Sequence, residues 1–153
     1  MKAKGIIVKK TDKGTYLLVM DLKESQNISA GKLPVTFFNH GKYFYVGQAR
    51  KGLQQRLNRH LRKEKKLFWH IDYLLSEAEI KEIWIKRDIF DECLTIKNIK
   101  KGIKDAFFPL KKFGSSDCKC HSHLLCLLST KRDFTSLRKR LGYESVEIHE
   151  NKI

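Results

Sequence analysis

Proline is scarce in this chain: Pro34 and Pro109 are the only two among its 153 residues, which argues against long proline-rich linkers. No apolar run approaches the roughly 18 to 20 residues that a membrane-spanning helix needs. Three apolar residues after Gly5 are too few for a secretory signal, and four cysteines without such a signal are typical of a reducing compartment. We therefore expect one globular domain in the cytoplasm, with no membrane partner.

Acidic residues are also in short supply. The chain has 17 Asp and Glu against 32 Lys and Arg, for a formal net charge of +15. Such an excess of positive charge indicates either a basic solvated surface or a surface that binds a polyanion. Because the charge is locally concentrated, we favour nucleic acid as the partner. Between Arg50 and Lys66 the only acid is Glu64. The basic residues expected to contact nucleic acid there are Arg50, Lys51, Arg59, Arg62, Lys63, Lys65 and Lys66.

Hydrophobic periodicity predicts strands and helices mixed in one α+β domain. The expected strands are 5–9, 15–22, 80–86 and 123–128, together with a hairpin that pairs 33–38 with 42–46. Residues 23–31 are expected to form a loop, and the expected helices are 51–62, 72–76, 91–104 and 134–141. Gly142 is a suitable residue to end the last helix.

The spacing of apolar residues in the first helix predicts which of its side chains face the sheet. Leu53, Leu57 and Leu61 repeat every four residues and form an apolar stripe. At 100° per residue, Arg56 and His60 fall on the border of that stripe, against the sheet. Arg59 and the remaining bases are expected to face solvent.

Four sequence features occur in order: Gly14-Thr15-Tyr16 on one strand, Tyr45-Val46-Gly47 on another, Arg56 on the next helix and Glu92 on a later one. Together they resemble the GIY-YIG nuclease superfamily. The segments 69–75 and 113–124 (Phe113-Gly114-Ser115-Ser116-Asp117-Cys118 onwards) resemble a small stand-alone archaeal and bacterial branch. An extra loop and strand separate Tyr16 from Tyr45, and Thr15 replaces the usual Ile.

The resemblance covers about residues 5–130, with a helix and tail over 131–153. It implies a single α+β domain with a small, mostly antiparallel sheet flanked by helices. It also implies a metal-dependent endonuclease that cuts DNA, in repair or structure-specific cleavage, with RNA as an open alternative substrate.

By resemblance, the catalytic residues are Tyr16, Tyr45, Arg56, His60 and Glu92. Glu92 would bind Mg²⁺ or Mn²⁺, Arg56 would hold phosphate, and Tyr45 would orient water or phosphate. His60 would assist proton transfer or bind phosphate. Tyr16 would be the general base, and since a free phenol titrates near pH 10, we expect neighbouring cations to favour its phenolate.

Each of these residues also has a plainer interpretation. The tyrosines could be sheet aromatics, and Glu92 could be a helix-start acid, with Asp88 and Asp91 as rival metal ligands. A non-catalytic nucleic-acid-binding module of the same fold is therefore the alternative to the enzyme.

A Cys/His block provides a second site. Cys118, Cys120 and His123 could bind zinc, joined in space by Cys93 or His70. The alternative is a tight turn whose cysteines pack beside the last strand, with Asp117 or His123 lining the active site. Zinc is the less favoured cofactor here, and a zinc-binding interaction domain is the third hypothesis for the chain.

Overall fold

The computed structural model describes residues 2–115, 118–129 and 132–152, which form the predicted α+β fold. Ser116 and Asp117, named above, lie outside the described residues. The strands are β1 Lys2–Gly5, β2 Gly14–Leu22, β3 Gln26–Ile28, β4 Thr36–Phe38, β5 Gly41–Ala49, β6 Glu79–Arg87, β7 Leu124–Leu127, β8 Glu144–Val146 and β9 His149–Lys152. The helices are α1 Leu53–Leu61, α2 His70–Leu75, α3 Glu92–Gly102 and α4 Thr135–Leu141.

A five-stranded antiparallel sheet, ordered β7-β5-β2-β6-β8, forms the centre of the molecule. Successive strand residues point to opposite faces, so β2 buries Leu18 with Leu57 of α1 on one side and Leu17 with Ile96 of α3 on the other. Because both faces are covered, the whole of β2 is apolar apart from its ends. Among the described residues, no helix combines the length and apolarity needed to cross a membrane.

The first strand differs from the prediction. Residues 5–9 were expected to be extended, but β1 ends at Gly5 and pairs with β9. Beyond it, the backbone amides of Ile6 and Val8 donate to Asn58 Oδ1 and Gln54 Oε1 of α1, at 2.8 Å and 2.9 Å. Side chains of the helix thus take the hydrogen bonds that a neighbouring strand would have taken.

The predicted hairpin is also wrong. β4 pairs with β3, which lies inside the stretch 23–31 that was expected to be a loop. β5 is hydrogen-bonded to β2 on one side and to β7 on the other. Since both its edges are occupied, β5 has no edge left for β4.

The end of the chain contributes to the sheet. β8 pairs with β6, which extends the central sheet beyond residue 130. Its sequence, Glu144-Ser145-Val146, is too short and polar to show an alternating apolar pattern. The helix before it ends as predicted, with Gly142 at a φ of 79°.

Candidate active site

A cleft of about 690 Å³ opens beside β2, β5 and the start of α3. Tyr16, Tyr45, Arg56 and Glu92 line it, so four of the five predicted catalytic residues come together. They arrive from four different elements. The fifth, His60, lies directly behind Tyr16.

Tyr16 is held by the register between two strands. It lies opposite Gly47, and its ring crosses the space where a side chain at that position would project. A Cβ built on Gly47 would lie 2.4 Å from the Tyr16 hydroxyl oxygen and 2.5 Å from its Cζ. Only glycine at position 47 leaves room for this ring. The sequence marked Gly47 as part of a motif but gave no sign of this steric role.

Tyr16 and His60 form a buried pair. The phenol oxygen is 2.7 Å from His60 Nε2, and the two residues are 1% and 2% exposed. Burial lowers the pKa of His60 to about 3, so its imidazole is neutral. Within the described part of the chain, His60 Nδ1 has no hydrogen-bond partner. His60 is therefore placed to exchange a proton with Tyr16 and is too deep to bind phosphate itself.

The electrostatic environment of Tyr16 differs from expectation. Burial raises the pKa of its phenol, and the nearby Arg56 lowers it by less than burial raises it. The expectation that cations would stabilise a phenolate is wrong for the free protein, because desolvation disfavours the charged form. Tyr16 carries its proton in the resting site.

Tyr45 is the second phenol of the cleft. Its ring centroid is 6.5 Å from that of Tyr16 and 6.1 Å from that of Phe113. Gly114 lies against it, since a Cβ there would be 2.8 Å from Tyr45 Cε1. Burial raises the pKa of Tyr45 as well. Gly114, Cys118 and His123, from the segment that the sequence singled out, thus form one wall of the cleft.

Arg56 is fixed in place by a carbonyl and a ring. Its Nη1 donates to Gln48 O at 3.0 Å, and its Cζ lies 4.3 Å from the centre of the Trp69 ring. A guanidinium held this way still has further N–H groups to offer. Trp69 thus supports Arg56, a role that the sequence pattern did not indicate.

Glu92 begins α3, with its carboxylate in the cleft. Burial raises its pKa, while Arg50 and Arg56 offset part of that effect. Its rival Asp91 is ion-paired with Lys86 at 3.1 Å. In the part of the chain that the structure describes, Glu92 is the one acid that lines the cleft.

The basic residues of 50–66 lie in several different environments. Arg50 and Lys51 line the cleft, and Lys51 and Arg62 line a side groove of about 240 Å³ beside α1. Lys63 and Lys66 are exposed.

Arg59 and Lys65 instead have internal partners. Both terminal nitrogens of Arg59 donate to the buried Asp72, at 2.8 Å and 2.9 Å, and Lys65 Nζ donates to the carbonyl of Arg59 at 3.1 Å. The expectation that Arg59 faces solvent is wrong, because it overlooked Asp72 on the neighbouring helix.

Asp72 organises the rim of the cleft. Its carboxylate is fully buried, and it accepts the backbone N–H groups of Phe68 and Trp69, each at 2.9 Å. The guanidinium carbons of Arg56 and Arg59 each lie 4.3 Å from the centre of the Trp69 ring. Phe68 is 75% exposed at the mouth of the cleft. His70, a candidate zinc ligand, instead accepts the Gly114 N–H at 2.9 Å through Nδ1.

The Cys/His block gathers four groups beside the cleft. The ligand atoms of Cys93, Cys118, Cys120 and His123 all lie within 4.8 Å of one another and could hold a metal ion. The sulfurs of Cys93 and Cys120 are in direct contact, as in a disulfide. Sulfur and nitrogen donors suit zinc better than Mg²⁺. Cys126 is separate and fully buried in the core.

Comparison with known proteins adds the family. A family model described as "Domain of unknown function DUF123" matches residues 15–143, a span that contains every residue lining the cleft. No curated protein and no solved structure matches the chain significantly.

Proposed function

Because the chain belongs to the DUF123 family, a domain of unknown function, its activity must be inferred from its site, and we propose that it is a divalent-metal-dependent endonuclease acting on DNA. The observation that carries this proposal is the convergence of Tyr16, Tyr45, Arg56 and Glu92 in one cleft, with His60 behind Tyr16. This set supports membership of the GIY-YIG type, whose motifs the sequence resembles.

Tyr16 and His60 supply a path for a proton. The Tyr16 oxygen is the cleft atom that takes the proton from an attacking water, and it passes its own proton to His60 Nε2, 2.7 Å behind. His60 is neutral and free to accept. Since a phenol and a buried imidazole are both weak bases here, the transfer has to accompany the attack rather than precede it.

Arg56 binds the phosphate. Its guanidinium is permanently charged, and its planar fork matches two phosphate oxygens. The contacts with Gln48 and Trp69 fix its orientation before substrate arrives, so little ordering remains to be done on binding. Tyr45, on the same strand as Gly47, borders the position of this phosphate.

Glu92 is the residue that would hold the divalent cation. Its donor chemistry fits, because Mg²⁺ takes one or two carboxylates and fills its other positions with water and phosphate. Such an ion, when bound, supplies positive charge for the departing oxygen. Mn²⁺ has the same preference for oxygen ligands.

A basic track leads away from the cleft. Lys51, Arg56 and Trp69 line both the cleft and the side groove beside α1, and Arg62 continues the groove. Cations along such a track attract a phosphate backbone without reading its sequence. The exposed ring of Phe68 at the mouth offers a stacking surface for an unpaired base. We therefore favour DNA with single-stranded or branched segments as substrate.

The test is incision of labelled DNA. Duplex, flapped and branched DNA, and RNA of the same sequence, are incubated with the protein in Mg²⁺, Mn²⁺ or chelator. We expect metal-dependent cuts that fall by about 100-fold or more in Arg56→Ala and Glu92→Gln. Glu77→Gln, an exposed position outside the cleft, is the matched control and should cut normally.

Two outcomes oppose the proposal. Folded protein that binds DNA but cuts nothing with either metal would identify a non-catalytic binding module. Cutting that is unchanged in both cleft variants would place the activity elsewhere. Cuts confined to RNA would keep the enzyme and change its substrate.

A further inference from the structure

We propose that Cys93, Cys118, Cys120 and His123 bind one structural zinc ion. These residues come from the first turn of α3 and from the loop that precedes β7. Three thiols and one imidazole are a complete four-coordinate set, which is typical of structural rather than catalytic zinc. The assignment stands whether or not the neighbouring cleft cuts nucleic acid.

The spacing of the ligand atoms fits a tetrahedral ion. With Zn–S near 2.3 Å and Zn–N near 2.0 Å, tetrahedral ligand atoms lie about 3.5 Å (sulfur to nitrogen) to about 3.8 Å (sulfur to sulfur) apart. Cys118 Sγ is 3.3 Å from His123 Nε2 and 3.6 Å from Cys93 Sγ. Cys93 Sγ is 3.7 Å from the same imidazole nitrogen. Three of the six pairs therefore lie within about 0.2 Å of the separation that a shared tetrahedral zinc ion would impose.

His123 is held rigidly for this role. Its backbone N–H donates to Phe113 O at 2.8 Å, and its carbonyl accepts the Val46 N–H at 3.0 Å. Its other ring nitrogen, Nδ1, lies 3.7 Å from Glu92 Oε2. Zinc-bound histidines commonly direct the second ring nitrogen towards a carboxylate in this way.

A disulfide between Cys93 and Cys120 is the competing use of the same thiols. A disulfide would involve only two of the four groups and would not explain why Cys118 Sγ lies close to His123 Nε2. Zinc employs all four, and its binding releases the three thiol protons to solvent. Cys126 shows how a cysteine that only packs is placed in this protein: it lies in the core, away from the other three.

The zinc ion would tie the start of α3 to the loop before β7. Glu92 immediately precedes Cys93, so the ion would fix the backbone from which the cleft carboxylate projects. This second consequence rests on the proposed function, whereas the zinc assignment does not. Loss of the metal should then loosen the cleft wall that contains Cys118 and His123.

The test is metal content of the reduced protein. The full chain is reduced without oxygen, supplied with Zn²⁺, passed through a desalting column and assayed for zinc and for free thiols. We expect about one zinc per chain, lost in Cys118→Ala and retained in Cys126→Ala, the matched control. With Co²⁺ instead, the unaltered chain should show the intense visible bands of a tetrahedral site and thiolate-to-cobalt charge transfer.

The cobalt spectrum keeps the proposal testable even if a cysteine variant does not fold. A reduced chain that retains no zinc, or an octahedral cobalt spectrum without charge transfer, would overturn the assignment. Equal loss of zinc in Cys118→Ala and Cys126→Ala, with both variants folded, would overturn it as well.

Discussion

Replacing Gly47 by alanine tests the packing that positions Tyr16. The added Cβ would lie 2.4 Å from the phenol oxygen, where ordinary contacts begin at 3.4 Å, so the ring has to move by about 1 Å. Tyr16 is buried and 2.7 Å from His60, so this movement breaks their hydrogen bond. Overpacking and an unsatisfied imidazole each cost about 1 to 3 kcal/mol. A combined loss of about 3 kcal/mol lowers the Tm of a domain this size by about 6 to 12 °C.

The assay is chemical and thermal unfolding, alongside Gly102→Ala as the control. A Cβ at Gly102 meets the ends of two side chains, Leu137 Cδ1 at 3.1 Å and Arg140 Nη2 at 3.8 Å, so that variant should stay within about 1 kcal/mol of the parent. In a Tyr16→Leu background the obstructing ring atoms are gone, and Gly47→Ala should cost much less than in the parent. An equal cost in both backgrounds would refute the steric argument.

Three further predictions concern the rim, the buried histidine and the basic track. Asp72→Asn leaves Arg59 without its carboxylate, and we expect a loss of about 3 to 5 kcal/mol in urea unfolding; a loss below 1 kcal/mol would show that Asp72 does not hold the rim. The pKa of His60 is about 3 in the folded protein, below its usual value of 6.5. Between these two pH values the unfolded chain binds more protons than the folded one. The free energy of unfolding should therefore fall as the pH drops from about 6.5 towards 3. His60→Gln should flatten that slope, and an unchanged slope would assign it to other groups. Lys51→Ala should reduce the dependence of log Kd for DNA on log salt by about 0.9, whereas an unchanged slope would mean that Lys51 does not contact phosphate.

Local patterns predicted the elements that position the site. The Leu53, Leu57 and Leu61 stripe fixed the phase of α1, and that phase placed Arg56 and His60 against the sheet as observed. The apolar run of β2 was equally clear, because a strand covered on both faces has no polar side. Such signals depend on residues that are neighbours in sequence.

Contacts between distant segments were not predictable in this way. The pairing of β5 with β7 rather than β4 depends on a strand 75 residues or more further along the chain. The Arg59–Asp72 ion pair joins α1 to α2. A helical wheel drawn for α1 alone does not include Asp72, so it predicted that Arg59 faces solvent. Cys93 joins Cys118 across 25 residues, which is why the sequence could name Cys93 only as one of two candidates.

The protonation state of Tyr16 could not be predicted from the sequence either. Tyr16 is the general base by resemblance, and that role led us to expect neighbouring cations that favour its phenolate. The fold buries the phenol completely, and desolvation then outweighs the attraction of Arg56. Only the depth of the residue decides between these opposing effects.

The most direct test of the account compares Tyr16→Phe with Tyr43→Phe. Both phenols are buried on the same face of the sheet, and each makes a short hydrogen bond: Tyr16 to His60 Nε2 at 2.7 Å and Tyr43 to Asn39 O at 2.6 Å. Each variant should therefore lose about 1 kcal/mol of stability. In single-turnover incision of branched DNA with Mg²⁺, we predict that Tyr16→Phe slows cutting by about 100-fold or more while Tyr43→Phe cuts at the parent rate. Equal rates for the two folded variants would contradict the assignment of this cleft as the active site.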